Sequence, residues 1–146
     1  MSSAGQRLVA GRIPGERIAT TIVPTDSSTF TAETIVASVT APLVSGRTYR
    51  VRFHGQFQSS VSGDRVFVRM RQNDISGSTI NVTLLIITAS ASSPGWATTL
   101  EAEFVATSTG NKTFVVTGLR ASGTGNINLE ASGSWPTFLY VDYIRG

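Results

Sequence analysis

"YRVRFHGQFQ", Tyr49 to Gln58, alternates without a slip: Tyr49, Val51, Phe53, Gly55 and Phe57 form one row, and Arg50, Arg52, His54, Gln56 and Gln58 the other. Successive side chains of an extended strand point to opposite faces, so the first row suits a core and the second meets water, a partner or a ligand. The same period recurs on both sides. Upstream, "ETIVASVT" sets Ile35, Ala37 and Val39 against Val36, Ser38 and Thr40, and Pro42 with "SGR" turns the chain. Downstream, "SSVSGD" is a turn, after which "DRVFVRMRQ" sends Val66, Val68 and Met70 inward and Arg65, Phe67, Arg69 and Arg71 outward.

Further along, "WATTLEAEFVAT" sets Trp96, Leu100, Ala102 and Phe104 against Ala97, Thr99, Glu101, Glu103 and Val105. The stretches "TFVVTGLR", "INLEAS" and "FLYVDYI" follow, separated by "STGNK", "ASGTGN" and "GSWPT". Strands spaced by Gly, Ser, Asn and Pro turns, with no helical period, predict an all-β antiparallel sandwich or jelly roll of about eight strands. Three stretches are apolar on both rows: Leu84 to Ile87, Phe114 to Val116, and Leu139 to Ile144 around Asp142. Strands needing cover on both sides in so small a sandwich predict that one sheet packs on another subunit.

At 146 residues the chain suits one domain, large enough to bury a core unaided by disulfides or metal. It has no cysteine, which excludes disulfide staples, thiolate zinc sites and cysteine nucleophiles. No apolar run approaches the roughly 20 residues of a membrane helix, and Leu8 to Ala10 falls short of a secretory signal. No membrane association is expected. The formal charge is +3, and of the 12 basic residues Lys112 is the one lysine. They are scattered and accompany no nucleic-acid module, so nucleic acid is not expected as a partner. Arginine's planar fork pairs with carboxylates and stacks on aromatics, which keeps a protein partner in play for Arg50, Arg52, Arg69 and Arg71.

Residues 1–17 differ in kind, with glycines, a proline and charges but no periodicity. They read either as a loose terminus or as an N-terminal arm that orders on a partner surface, with Leu8, Val9 and Ile13 as anchors. Catalytic constellations are missing from the pattern. His54 is the sole histidine, so a multi-histidine metal site is impossible, and its mid-strand place between Arg52 and Gln56 suits an interface or water. Glu101 and Glu103 share a face, about 7 Å apart at the backbone, and are better used in pairing with arginines of a neighbouring strand or subunit. No catalytic residue, cofactor or metal is expected.

The motifs "GRTYRVRFHGQFQSSVSGDRVFVRMRQNDISGS", "LEAEFVATSTGNKTFVVTGLRASGTGNINLEAS" and "PTFLYVDYIRG" resemble β-rich virion proteins of tailed phages that infect actinobacteria, over nearly all of residues 18–146. Similar domains occur there as capsid decoration proteins and within minor tail or fibre proteins. The resemblance implies a trimeric jelly roll like those of tumour-necrosis-factor-like and complement-globular-like proteins, with one sheet on the threefold axis. It implies a homotrimeric decoration protein, assembled in the host cytoplasm and bound to the major capsid protein at the virion surface.

On that reading residues 1–17 are the capsid-binding arm, contacting the shell through Leu8, Val9, Arg12, Ile13 and Arg17, and residues 18–146 are the trimerisation domain. Leu85, Ile87, Val115, Tyr140 and Tyr143, from the doubly apolar strands, are the candidate axis residues. A minor tail or fibre protein binding a host-surface glycan is the alternative. Outside the resemblance stands a carbohydrate-binding module, for which Trp96 and Trp135 are candidate sugar platforms, although core packing is the expected role of Trp96.

Overall fold

A computed structural model describes residues 13–88 and 95–146. The strands are β1 (Arg17–Val23), β2 (Thr34–Leu43), β3 (Thr48–Ser59), β4 (Asp64–Gln72), β5 (Thr79–Ile87), β6 (Trp96–Val105), β7 (Gly110–Ser122), β8 (Ile127–Glu130) and β9 (Thr137–Arg145). Eight match the runs read from the sequence, and β1 is the addition.

All pairings are antiparallel. One sheet, called sheet A, runs β1-β9-β3-β6 with β8 beside the far half of β3, and sheet B runs β2-β7-β4-β5. This interleaving of strands distant in sequence is the jelly-roll order, two Greek keys folded into facing sheets. At the open sides, Thr21 Oγ1 of β1 donates to the Ser38 carbonyl of β2, and Asn81 Nδ2 of β5 donates to the Glu101 carbonyl of β6, each at 2.7 Å. Side chains thus tie the two sheets together along both edges.

The core lies between the sheets, and the inward row of the opening stretch is in it. Tyr49, Val51, Phe53 and Phe57 are buried against Val66, Val68 and Met70 of the facing sheet, with Phe114, Leu129, Leu139 and Val141. Tyr49 keeps its hydroxyl satisfied by accepting from the Val44 amide at 2.9 Å. One alternation is broken. A register shift between Ile35 and Ala37 puts both Val36 and Ala37 inside and leaves Ile35 exposed, so the expected pairing of Ile35 with Ala37 on one row fails there.

Packing requires glycine at Gly118 and Gly123, among other positions. The Phe30 ring lies against the backbone of Gly118, where a Cβ would stand 2.5 Å from its Cζ. Gly123 has φ of 105°, a left-handed value that other residues rarely adopt, and a Cβ there would collide with the Asp64 carboxylate. Asp64 itself is buried and accepts from Ser59 Oγ at 2.7 Å, the Gly125 amide at 2.8 Å and the Thr124 amide at 3.2 Å. This carboxylate joins the β3–β4 turn to the loop before β8.

Candidate functional site

The outward face of sheet A carries the polar row of β3. Register places Arg52 opposite Glu101 and Arg50 opposite Glu103 on β6. Arg52 Nε donates to Glu101 Oε2 at 2.6 Å, and Arg50 Nε lies 3.0 Å from Glu101 Oε1, so one carboxylate serves both arginines. Arg52 also donates from Nη1 to the Tyr140 hydroxyl at 3.1 Å. The bonds to Glu101 and Tyr140 hold its guanidinium still more firmly protonated than usual.

Across β9 the lattice continues. Arg17 Nε donates to Asp142 Oδ1 at 3.0 Å, its guanidinium 3.6 Å from the Tyr140 ring centroid, and Arg145 pairs with Glu103 at 3.1 Å. The arginine-to-carboxylate pairing expected from the sequence is therefore met within one chain. Arg50 and Arg52 have their charge compensated on the sheet itself.

Beyond this lattice the face changes character. The segment 131–136, between β8 and β9, packs over the far part of β3 and leaves a cleft of about 210 Å³ lined by His54, Gln56, Ser134, Trp135, Pro136 and Phe138. Trp135 is 53% exposed. Its loop is braced: Ser132 Oγ accepts from the Ser134 and Trp135 amides at 3.2 and 3.3 Å, and the Ser132 amide donates to the Trp135 carbonyl at 3.4 Å. His54 Nδ1 is 2.9 Å from Thr99 Oγ1, which fixes the imidazole and leaves its Nε2 edge for another partner.

The outward face of sheet B has two parts. Around Glu33, just before β2, Arg71 binds with Nε and Nη2, Arg69 Nη1 lies at 3.3 Å, and Thr117 Oγ1 donates at 2.7 Å. Burial by itself would raise the Glu33 carboxyl. The hydrogen bonds from Arg71 and Thr117, with the charges of Arg71 and Arg69, outweigh it and hold the group below the usual glutamate range. Beside this cluster lies an apolar patch. Val82, Leu84 and Ile86 of β5 are 43–48% exposed, and Phe67 of β4 stands opposite Leu84 on one side and Leu119 of β7 on the other.

The residues expected to form the trimer axis do not share a surface. Leu85, Ile87 and Tyr143 point into the sandwich and are buried within the chain. Val115 is buried on the outer side of sheet B, opposite Arg71, and Tyr140 is half-buried on sheet A under Arg17. The exposed apolar row is the alternate one on β5, since pairing with β4 turns Leu85 and Ile87 inward with Val66 and Asp64.

Of the arm, Leu8, Val9 and Arg12 lie outside the described residues. Ile13 is exposed, and Arg17 belongs to sheet A as the first residue of β1. Trp96 is 49% exposed at the start of β6, so its expected core role is not met. Among the described residues no group of three or more His, Asp or Glu side chains is placed to hold a metal, and no helix is long and apolar enough to cross a membrane.

No family model matches the chain, and no curated protein matches it by sequence. Among solved structures it is similar to a CBM4 domain, at 14% identity over 73% of this chain and 60% of that one, with a TM-score of 0.38. It is also similar to the insecticidal delta-endotoxin Cry8Ea1 of Bacillus thuringiensis, at 13% identity over 90% of this chain and 20% of that one, with a TM-score of 0.48. A third is the VP2 subviral particle of infectious bursal disease virus, at 10% identity over 99% of this chain and 42% of that one, with a TM-score of 0.46. The chain spans less than two thirds of the length of each.

Proposed function

We propose that this chain is a non-catalytic structural protein of a phage virion, a homotrimer that decorates the assembled capsid and stabilises it. The observation that carries the association is the outward row Val82, Leu84 and Ile86, extended by Phe67 and Leu119 across three strands of sheet B. Monomers rarely leave such a contiguous apolar patch in water, because burying it is favourable by about 25 cal/mol per Å². A second copy of the same chain is the occupant. Around a threefold axis each copy offers one patch to the next and the ring closes.

Decoration then works by linkage. A trimer that binds the assembled lattice and not its dissociated subunits shifts the equilibrium toward the shell, and three attachment points act together. The N-terminal segment supplies attachment to the major capsid protein at the virion surface, and the sandwich supplies association. The experiment is native mass measurement with co-sedimentation on mature capsids. A monomer at micromolar concentration, or a trimer that fails to pellet with capsids, overturns the proposal.

One observation favours a second reading, a tail or fibre domain that binds host-surface glycan. It is the half-exposed Trp135 at a cleft that also presents Phe138 and the polar groups of His54, Gln56 and Ser134. Adsorption of the purified protein to host cells, in place of capsids, selects this reading.

A further inference from the structure

The cleft between β3 and the 131–136 loop has a size and a lining that single out one class of ligand. Resting on the glycan-binding reading, we infer that it is a site for one neutral pyranose unit, held by Trp135 and Phe138 on its C–H face and by His54, Gln56 and Ser134 on its hydroxyls. At about 210 Å³ the cleft lies below the roughly 300–1,000 Å³ of sites for drug-sized ligands, which suits a single ring better than an enclosed chain.

The chemistry of the walls selects the ligand. An aromatic side chain half in water at a loop tip loses little conformational freedom on contact, and Ser132 already braces the loop through two amides, so the platform is preorganised. The polar groups mix donors and acceptors. Gln56 brings an amide with both, Ser134 a hydroxyl with both, and His54 one ring nitrogen, since its other is engaged by Thr99. Neighbouring sugar hydroxyls, each able to give and to accept, match such a set.

Charge argues against acidic ligands. Among the described residues the lining holds no carboxylate, guanidinium or ammonium, and the nearest cation along the row, Arg52, is engaged by Glu101 and Tyr140. A sialic or uronic acid would find no free guanidinium or ammonium among these residues. One ring in an open cleft binds weakly, with a dissociation constant on the order of 1 mM, and three copies on a trimer convert that into firm attachment to a surface.

The test uses the intact protein and two readouts. In the first, amide and indole NMR signals are followed during titration with methyl glycosides of D-glucose, D-galactose and D-mannose. In the second, adsorption to host cells is compared before and after periodate oxidation of surface glycans. The inference expects shifts confined to His54, Gln56, Ser134, Trp135 and Phe138 with at least one glycoside, and periodate-sensitive adsorption that Trp135→Ala weakens about tenfold while Trp96→Ala leaves it intact. Trp135→Ala is checked for an unchanged β spectrum, and Gln56→Ala, with a similar loss expected, covers the case in which that loop is disturbed. Periodate-sensitive adsorption that both variants retain overturns this site and leaves the glycan reading standing. Adsorption indifferent to periodate, with no shifts from any glycoside, overturns both.

Discussion

Arg71 grips Glu33 with both prongs of its guanidinium, Nε to Oε1 at 2.8 Å and Nη2 to Oε2 at 3.1 Å. The same arginine donates from Nη1 to the Gly77 carbonyl at 3.0 Å and to Thr79 Oγ1 at 2.8 Å. One side chain therefore links the entry to β2, the β4–β5 turn and the start of β5, and such bidentate pairs are geometrically specific.

Acid should loosen this link. The Glu33 carboxyl is held below the usual glutamate value of about 4.5, so its contribution is full above that value in the unfolded chain and is lost as pH falls through the lower folded value. Urea unfolding from pH 7 to pH 3 should show the wild type losing stability below about 4.5. Glu33→Gln should start lower at pH 7, by about 1–3 kcal/mol, and slope less with acid. Equal slopes in the two proteins would refute the assignment.

The buried Asp64 sets a larger expectation. It accepts one hydroxyl and two loop amides, and Asp64→Ala leaves the Ser59 hydroxyl and the Gly125 amide unpaired in the interior. Loss of about 3 kcal/mol is expected in equilibrium unfolding, at the upper end for donors left unpaired in the interior. A change within about 0.5 kcal/mol, the range of ordinary surface substitutions, would mean that the loop reseats without the carboxylate.

Leu84→Asp separates association from folding. Leu84 is exposed in the single chain, so the substitution should leave the melting of the sandwich nearly unchanged while a charge in the patch should dissociate the proposed trimer. Analytical ultracentrifugation reads the outcome. A trimer that survives with undiminished affinity places the contact elsewhere.

Glu101 makes a contrasting case. Its pair with Arg52 is hydrogen-bonded and its contact with Arg50 is one of charge alone, both are more than a third exposed to solvent, and exposed pairs contribute only about 0 to 1 kcal/mol each. Glu101→Gln should therefore unfold within about 1 kcal/mol of wild type, and the difference should shrink in high salt. A larger, salt-insensitive loss would show that the ladder does more than balance charge.

The arm is tested by a deletion that stops short of β1. Gly15 and Glu16 exchange backbone hydrogen bonds with Tyr143 and Arg17 opens β1, so removal of Met1 to Arg12 keeps these contacts with β9. That shorter protein should remain a folded trimer and cease to coat capsids, with loss of capsid heat resistance. If it still saturates the shell, the sandwich or its loops carry the attachment.

Period two is a local property of an extended chain, and so the sequence by itself determined that this protein is a β sandwich and that Tyr49, Val51, Phe53 and Phe57 line its core, while strand order decided that the arginines of β3 meet the carboxylates of β6. A repeat of two defines two rows without saying which one faces inward. On β5 both rows are apolar, and only pairing with β4 decided that Leu85 and Ile87 fill the core while Val82, Leu84 and Ile86 stay in water. Val115 is covered because Arg71, far off in sequence, lies opposite it, and β1 became a strand because β9 offers it a partner. The cleft at Trp135 exists only where a loop near residue 135 lies over the strand at residue 55, since contacts between distant segments are fixed by strand order and loop closure, which no local pattern records.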